Sequence, residues 1–192
     1  MEKKNLFERI LNESIKKKIL LEIYDDKSNT NNFKIGYIIK RFEDSFLLYS
    51  FDKYSQYDGY TLAPIEDIHK IGKTKYNDNL EITYSESPFP LHKKLIENVS
   101  DKTNGLSAII EFCFNNKIVL KTYFYVGNQL SGYIKEFDND YICVDSYFND
   151  GTFEGSFVVK ISNISQIDFE SKDEKKIERL IKKSIVLTND SK

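Results

Sequence analysis

Part of this chain is written twice. Gly36-Tyr37-Ile38 recurs as Gly132-Tyr133-Ile134, and Phe42 recurs as Phe137 with a one-residue slip. Gly59 recurs as Gly155, and Ile65, Ile68 and Ile71 recur as Ile161, Ile164 and Ile167. The run Ile19-Leu20-Leu21 matches Ile118-Val119-Leu120. The shared positions are apolar residues and glycines read as structural turns (Gly36, Gly132, Gly59, Gly155), which a common scaffold would need. The loops differ: Asp25 to Asn32 is longer than Val126 to Gln129. Loop divergence on a retained scaffold is what two separately evolving copies would show.

The second copy is the easier one to read strand by strand. Ile118, Leu120 and Tyr123 open an apolar run that ends at Gly127-Asn128, a tight-turn dipeptide. The chain returns through Tyr133 and Ile134 and turns at Asp138-Asn139-Asp140. It goes out again from Tyr141 to Val144, and Asn149-Asp150-Gly151 marks the next hairpin. Phe157, Val158 and Val159 form a fourth strand, and Ile161, Ile164 and Ile167 a short last one. Five short strands in about fifty residues imply a small closed barrel, since closure removes exposed edges. The first copy runs from Ile19 to about Lys75, with one more strand expected over residues 79–84. Its tyrosines (Tyr49, Tyr54, Tyr57, Tyr60) read as strand formers around an Asp58-Gly59 turn, with base stacking as the alternative.

Helices flank both copies. Residues 3–15 place Leu6, Phe7, Ile10 and Leu11 on one face, and Lys16, Lys17 and Lys18 follow at the helix C-terminal end. Residues 105–115 read as that leading helix repeated, with a strand as the alternative because of Phe112 and Phe114. A capping box, Ser171-Lys172-Asp173-Glu174, starts a last helix with Ile177, Leu180, Ile181 and Ile185 on its apolar face. Ser85 to Pro90 is a proline-bearing linker, followed by a short helix from Leu91 to Val99. The expected fold is mainly β with flanking helices: residues 1–84 are a first helix plus barrel, and 85–103 a linker with a short helix. Residues 104–170 are a second helix plus barrel, and 171–192 a C-terminal amphipathic helix and tail.

Charge excludes a globally basic polyanion binder, because the formal net charge is -2 over 192 residues. It is unevenly spread. Residues 1–20 carry six Lys/Arg against three Asp/Glu, and residues 171–192 seven against four. Residues 116–170 carry four against eight, a balance of -4. No stretch is apolar enough for a membrane span, and MEKKNLFERI lacks the apolar core of a signal peptide. Cys113 and Cys143 lie in apolar runs and read as buried free thiols. A cytoplasmic location is therefore expected.

The second copy reads Val126-Gly127-Asn128-Gln129-Leu130-Ser131-Gly132-Tyr133-Ile134-Lys135-Glu136-Phe137-Asp138. A turn glycine, a second glycine, apolar positions and Phe-Asp, behind a helix, resemble the Sm/LSm (Hfq-like) family of small SH3-like barrels. The first copy keeps Gly36, Ile38 and Phe42, with Glu43 in place of the aspartate. The resemblance implies two tandem Sm-like barrels with their leading helices. It also implies RNA contacts at fixed positions. The base-stacking residue falls on Phe46 and Tyr141. The next residue, an asparagine in the family, is Leu47 and Ile142, which cannot hydrogen-bond a base. The second RNA motif falls on Pro64 to Asp67 and on Lys160 to Asn163, where Lys160 is the one cation retained and Glu66 and Asp67 repel phosphate.

Catalytic patterns are absent from the sequence. His69 and His92 are the only histidines, and neither has ligand partners at metal spacing. No nucleophile elbow, P-loop or dinucleotide fingerprint occurs. No catalytic residue, metal site, cofactor or small-molecule substrate is expected. Asp138 and Asp140 read as turn formers. The favoured reading is a non-catalytic binding or assembly protein with a protein partner or self-association. The alternative is a degenerate Sm-like RNA binder, and an enzyme of unknown class is a distant third. Candidate contacts are Phe46, Tyr141, Lys160 and the basic ends Lys16, Lys17, Lys18, Lys182 and Lys183. Two copies in one chain would leave a free strand edge at each end. Three chains would then make a six-barrel ring, against which a monomer or simple dimer is slightly favoured.

Overall fold

The computed structural model describes residues 6–26, 29, 31–52, 54, 56–73 and 104–189, with side chains to residue 184. The expected strand at 79–84, the linker at 85–90 and the helix at 91–99 lie outside the described residues, as does His92. Contacts divide the chain into two compact units: Met1–Tyr57 with Ala63–Gly105, and Asp58–Leu62 with Leu106–Lys192. The C-terminal helix thus belongs to the second unit, as do five residues from the middle of a first-copy strand.

The first unit begins with α1 (Leu6–Lys17) and continues through β1 (Leu20–Tyr24), β2 (Lys34–Arg41) and β3 (Ser45–Phe51). Next come β4 (Tyr57–Pro64), a 3-10 turn at Ile65–Asp67 and β5 (Lys70–Gly72). The ladder order is β5-β1-β2-β3-β4, antiparallel where the register is defined. One face packs Leu11 and Phe46 with Leu21, Ile23, Ile38 and Leu48. The other packs Leu20, Ile35 and Phe51 under Tyr37 and Tyr49. Burying both faces explains why β1 is apolar or satisfied throughout. Its one charge, Glu22, accepts a hydrogen bond from the Tyr24 hydroxyl at 3.0 Å. Leu6 and Ile10, expected on the inner face of α1, are exposed.

The second unit contains α2 (Gly105–Asn116), β6 (Leu120–Phe124), β7 (Gln129–Phe137), β8 (Tyr141–Tyr147) and β9 (Phe153–Lys160). A 3-10 turn at Ile161–Asn163, β10 (Ile164–Phe169) and α3 (Lys172–Asn189) follow. The order is β10-β6-β7-β8-β9, and β10 also pairs with Tyr60 to Leu62 of β4. The Ser171 capping box forms: Ser171 N–H donates to Glu174 Oε2 at 2.9 Å, and Asp173 N–H to Ser171 Oγ at 3.1 Å. Ile177 and Ile181 then bury against Val119, Tyr133 and Tyr147.

The two series of elements run alike. Both α1 and α2 end with a lysine in left-handed geometry, Lys18 (φ 50°) and Lys117 (φ 51°). Each is followed by a closing bond from the next N–H, Ile19 to Ser14 and Ile118 to Cys113, both 3.0 Å. The β2–β3 and β7–β8 registers shift at matching places, Ile38/Lys40 and Ile134/Glu136.

Several expected placements change. Ile65 and Ile161 sit in 3-10 turns rather than in the last strands. Gly36 and Gly132 lie inside β2 and β7, not at turns. Gly59 and Gly155 lie inside β4 and β9, with φ of 83° and 147°. Gly155 sits at a bulge, where the register jumps from Ser146–Gly155 to Tyr147–Phe153. Gly127 does occupy a turn, with φ 86°.

Candidate functional site

Phe46 is the second residue of β3 and Tyr141 the first of β8, and they have opposite surroundings: the ladders set Phe46 opposite Arg41, and Ile142, not Tyr141, opposite Phe137. Phe46 is 0% exposed, packed with Leu11, Ile23 and Leu48, and cannot offer a ring face to a ligand. Tyr141 is 46% exposed and stands opposite Lys160 across the β8–β9 ladder. The structure therefore brings Tyr141 and Lys160 together and removes Phe46 from any contact surface. Leu47 and Ile142, at the expected asparagine positions, are buried core residues.

The surroundings of Tyr141 are acidic. Asp138 Oδ1 accepts the N–H groups of Asp140 (2.8 Å) and Tyr141 (2.7 Å). Those two backbone bonds hold its carboxyl below the usual aspartate value. The turn thus carries a firmly ionised carboxylate, with Asp140 beside it and one lysine across the ladder. That balance disfavours a phosphate chain.

The basic ends are solvated. Lys16, Lys17 and Lys18 are exposed at the end of α1, and Lys17 pairs with Glu13 at 3.7 Å. Lys182 pairs with Glu178 on the exposed side of α3, and Lys183 is exposed. Both ion pairs span one helical turn, a geometry worth about 0.3–0.5 kcal/mol at a surface.

Nucleophiles and titratable groups do not assemble into a reactive centre among the described residues. Cys113 and Cys143 are free and buried. Burial pushes the Cys113 thiol well up, and the Glu170 charge adds to the shift, so the thiolate is suppressed. No group of three or more His, Cys, Asp or Glu converges among the described residues. In the second unit a groove of about 840 Å³ runs past Lys117, Tyr133, Tyr147, Glu178 and Lys182. Burial first, then the charges of Glu178 and Tyr147, raise the Tyr133 hydroxyl to about 12, so it stays protonated. In the tyrosine-rich stretch Tyr49 stacks on Tyr57 at 4.8 Å, Tyr60 stacks on Phe169 of β10 at 5.1 Å, and Tyr54 is exposed. No described helix is long and apolar enough to cross a membrane.

The feature that sequence reading missed is β9. Phe153, Phe157 and Val158 are 54%, 37% and 69% exposed on a strand whose ladder partner among the described residues is β8 alone. The run Phe157-Val158-Val159 announces a strand. Its exposure is not written in those residues, because an apolar edge strand and an apolar inner strand look the same in sequence.

Neither protein-family models nor curated proteins give a match to this chain.

Proposed function

We propose that this chain is a non-catalytic, cytoplasmic binding and assembly protein that works through protein contacts, built from two diverged Sm-like barrels in tandem. The paired strand orders, the matching register shifts and the twin lysine-ended helices support the duplication. The observation that carries the protein-contact reading is β9, which exposes Phe153, Phe157 and Val158 and whose ladder partner among the described residues is β8 alone. An edge strand that exposes apolar side chains can recruit another strand. The loss of Phe46 from the surface and the acidic turn beside Tyr141 weigh against RNA.

The reading is tested by affinity capture with the full chain from native cytosol, half of it treated with nuclease. Protein partners retained at equal stoichiometry after nuclease are the expected outcome. Recovery of RNA, with loss of every protein after nuclease, overturns it.

A further inference from the structure

We infer that the groove bounded by the end of α2, by β7 and by α3 binds a small organic carboxylate with a flat apolar body, a function beyond the protein contacts proposed above. The groove encloses about 840 Å³, and every residue lining it belongs to the second unit. Small-molecule sites typically enclose about 300–1,000 Å³, walled by apolar and aromatic side chains with a few polar groups that orient the ligand. The lining comes from the stretches around residues 117, 133–147 and 178–182, so no contiguous motif announces it.

The charge of the groove runs against that of its surroundings. Residues 116–170 carry four Lys/Arg against eight Asp/Glu. Two of those four cations, Lys117 and Lys135, line the groove, and none of the eight carboxylates does. Both lysines are exposed, and neither enters an ion pair among the described residues. From α3, Lys182 and Glu178 line the groove as a pair already joined to each other. Three lysines against one glutamate leave a local balance of +2 beside a segment that sums to -4. A concave site lined by one sign of charge concentrates ligands of the other sign.

The walls set the body of the ligand. Tyr133 and Tyr147 are half-buried and meet edge to face, with ring centroids 6.3 Å apart. Their rings offer a flat apolar group a matching surface. Burial raises the Tyr133 hydroxyl to about 12 and lifts that of Tyr147 as well, so both phenols stay protonated at neutral pH. A protonated phenol donates to a carboxylate oxygen, as do the lysine ammonium groups. Glu178 limits the charge the groove accepts. It repels a second negative charge, which favours a monoanionic carboxylate over a phosphate dianion.

The test is an amide NMR titration of the full chain with naphthoate, a flat aromatic carboxylate. Saturable shifts centred on Lys117, Tyr133 and Lys135 are expected, with a dissociation constant on the order of 0.1–1 mM. Naphthamide, the same body without the charge, should bind about tenfold more weakly, and acetate, the head without the body, should not saturate. Lys117→Gln combined with Lys135→Gln should weaken naphthoate about tenfold and leave the unliganded spectrum unchanged away from the groove. Glu178→Gln removes the opposing charge and should tighten binding about threefold. Lys176→Gln changes an exposed lysine of α3 outside the lining and should leave the affinity as it is, which separates a site from a general effect of net charge. Equal affinity for naphthoate and naphthamide, shifts centred on other residues, a titration that stays linear through the millimolar range, or the same loss from Lys176→Gln as from the groove lysines overturns the inference.

Discussion

Gly132 and Asp145 are locked by backbone proximity: a Cβ on Gly132 would overlap the carbonyl oxygen of Asp145 on the neighbouring strand. Gly36 stands in the same relation to the Tyr49 carbonyl. Both glycines sit opposite a serine, Gly132 with Ser146 and Gly36 with Ser50, so the clash recurs at the same ladder position. The atom in the way is backbone and cannot rotate aside. Gly132→Val should therefore cost about 3 kcal/mol, and Gly36→Val a comparable amount. Gly127 supplies the contrast. It has φ 86° but nothing within 4 Å of an added Cβ, so Gly127→Ala should cost only about 1 kcal/mol. Urea midpoints of the three variants check the ranking, and equal midpoints for Gly132→Val and wild type would remove the close-approach argument.

Lys18 and Lys117 hold the left-handed position at which helices usually place glycine. A lysine there carries a Cβ penalty of about 1 kcal/mol that glycine avoids. Lys117→Gly should raise stability by up to about 1 kcal/mol, and Lys18→Gly by a similar amount. Thermal melts should show both variants shifted upward. A downward shift for both would mean that the lysine side chains contribute more than their geometry costs.

Glu174 couples the last helix to pH. Its carboxylate is 2% exposed, and burial raises its pKa above the ordinary 4.5, opposed mainly by the Ser171 hydrogen bond. For a raised acid, the stabilising contribution is complete below the unfolded value. It is lost as pH climbs through the folded one. Ionised Glu174 is therefore a cost at neutral pH. Glu174→Gln keeps an acceptor for the Ser171 N–H and does not titrate. Relative to wild type, the variant should gain stability between pH 4 and pH 7. Guanidinium melts at the two pH values measure the difference, and a gap that narrows toward pH 7 contradicts the assignment.

Much of the framework was legible because it is written in local signals. The capping box at Ser171, the Gly127 turn, the Asp138 turn and the buried cysteines each depend on a few adjacent residues. What could not be read depends on register across strands. Ile65 and Ile161 open Ile-x-x-Ile-x-x-Ile runs, whose spacing of three is not the alternation of a strand. Each lies in a 3-10 turn, because the chain must change direction before β5 and β10. Gly36 and Gly132 were visible as recurring positions, but their cause is a carbonyl thirteen residues further along the chain. Phe46 and Tyr141 look like matching aromatics in the sequence, but the ladders set Phe46 opposite Arg41 as they set Ile142 opposite Phe137. Phe46 therefore falls on the buried face with Ile142, and Tyr141, one residue earlier in its strand, falls on the other.

That separation decides how RNA should behave. Of the contacts that the Sm-like resemblance implies, Tyr141 is exposed and lies opposite Lys160, beside the ionised Asp138. Base stacking on a single tyrosine contributes about 1–3 kcal/mol, too little for tight binding without several phosphate contacts. Residual affinity should come from the exposed lysines Lys16, Lys17, Lys18, Lys182 and Lys183, which attract phosphate without reading bases. Fluorescence titrations with uridine-rich and adenine-rich oligonucleotides should give dissociation constants on the order of 10–100 μM at physiological salt. The two sequences should differ by less than about threefold, since neither base is read. Affinity should fall steeply as salt rises, and Tyr141→Ala should change it by less than about fivefold, the loss of one partly exposed stacking contact. Sub-micromolar, uridine-selective binding abolished by Tyr141→Ala would show that a single copy of the site suffices, and would replace protein contact with RNA recognition as the function of the second unit.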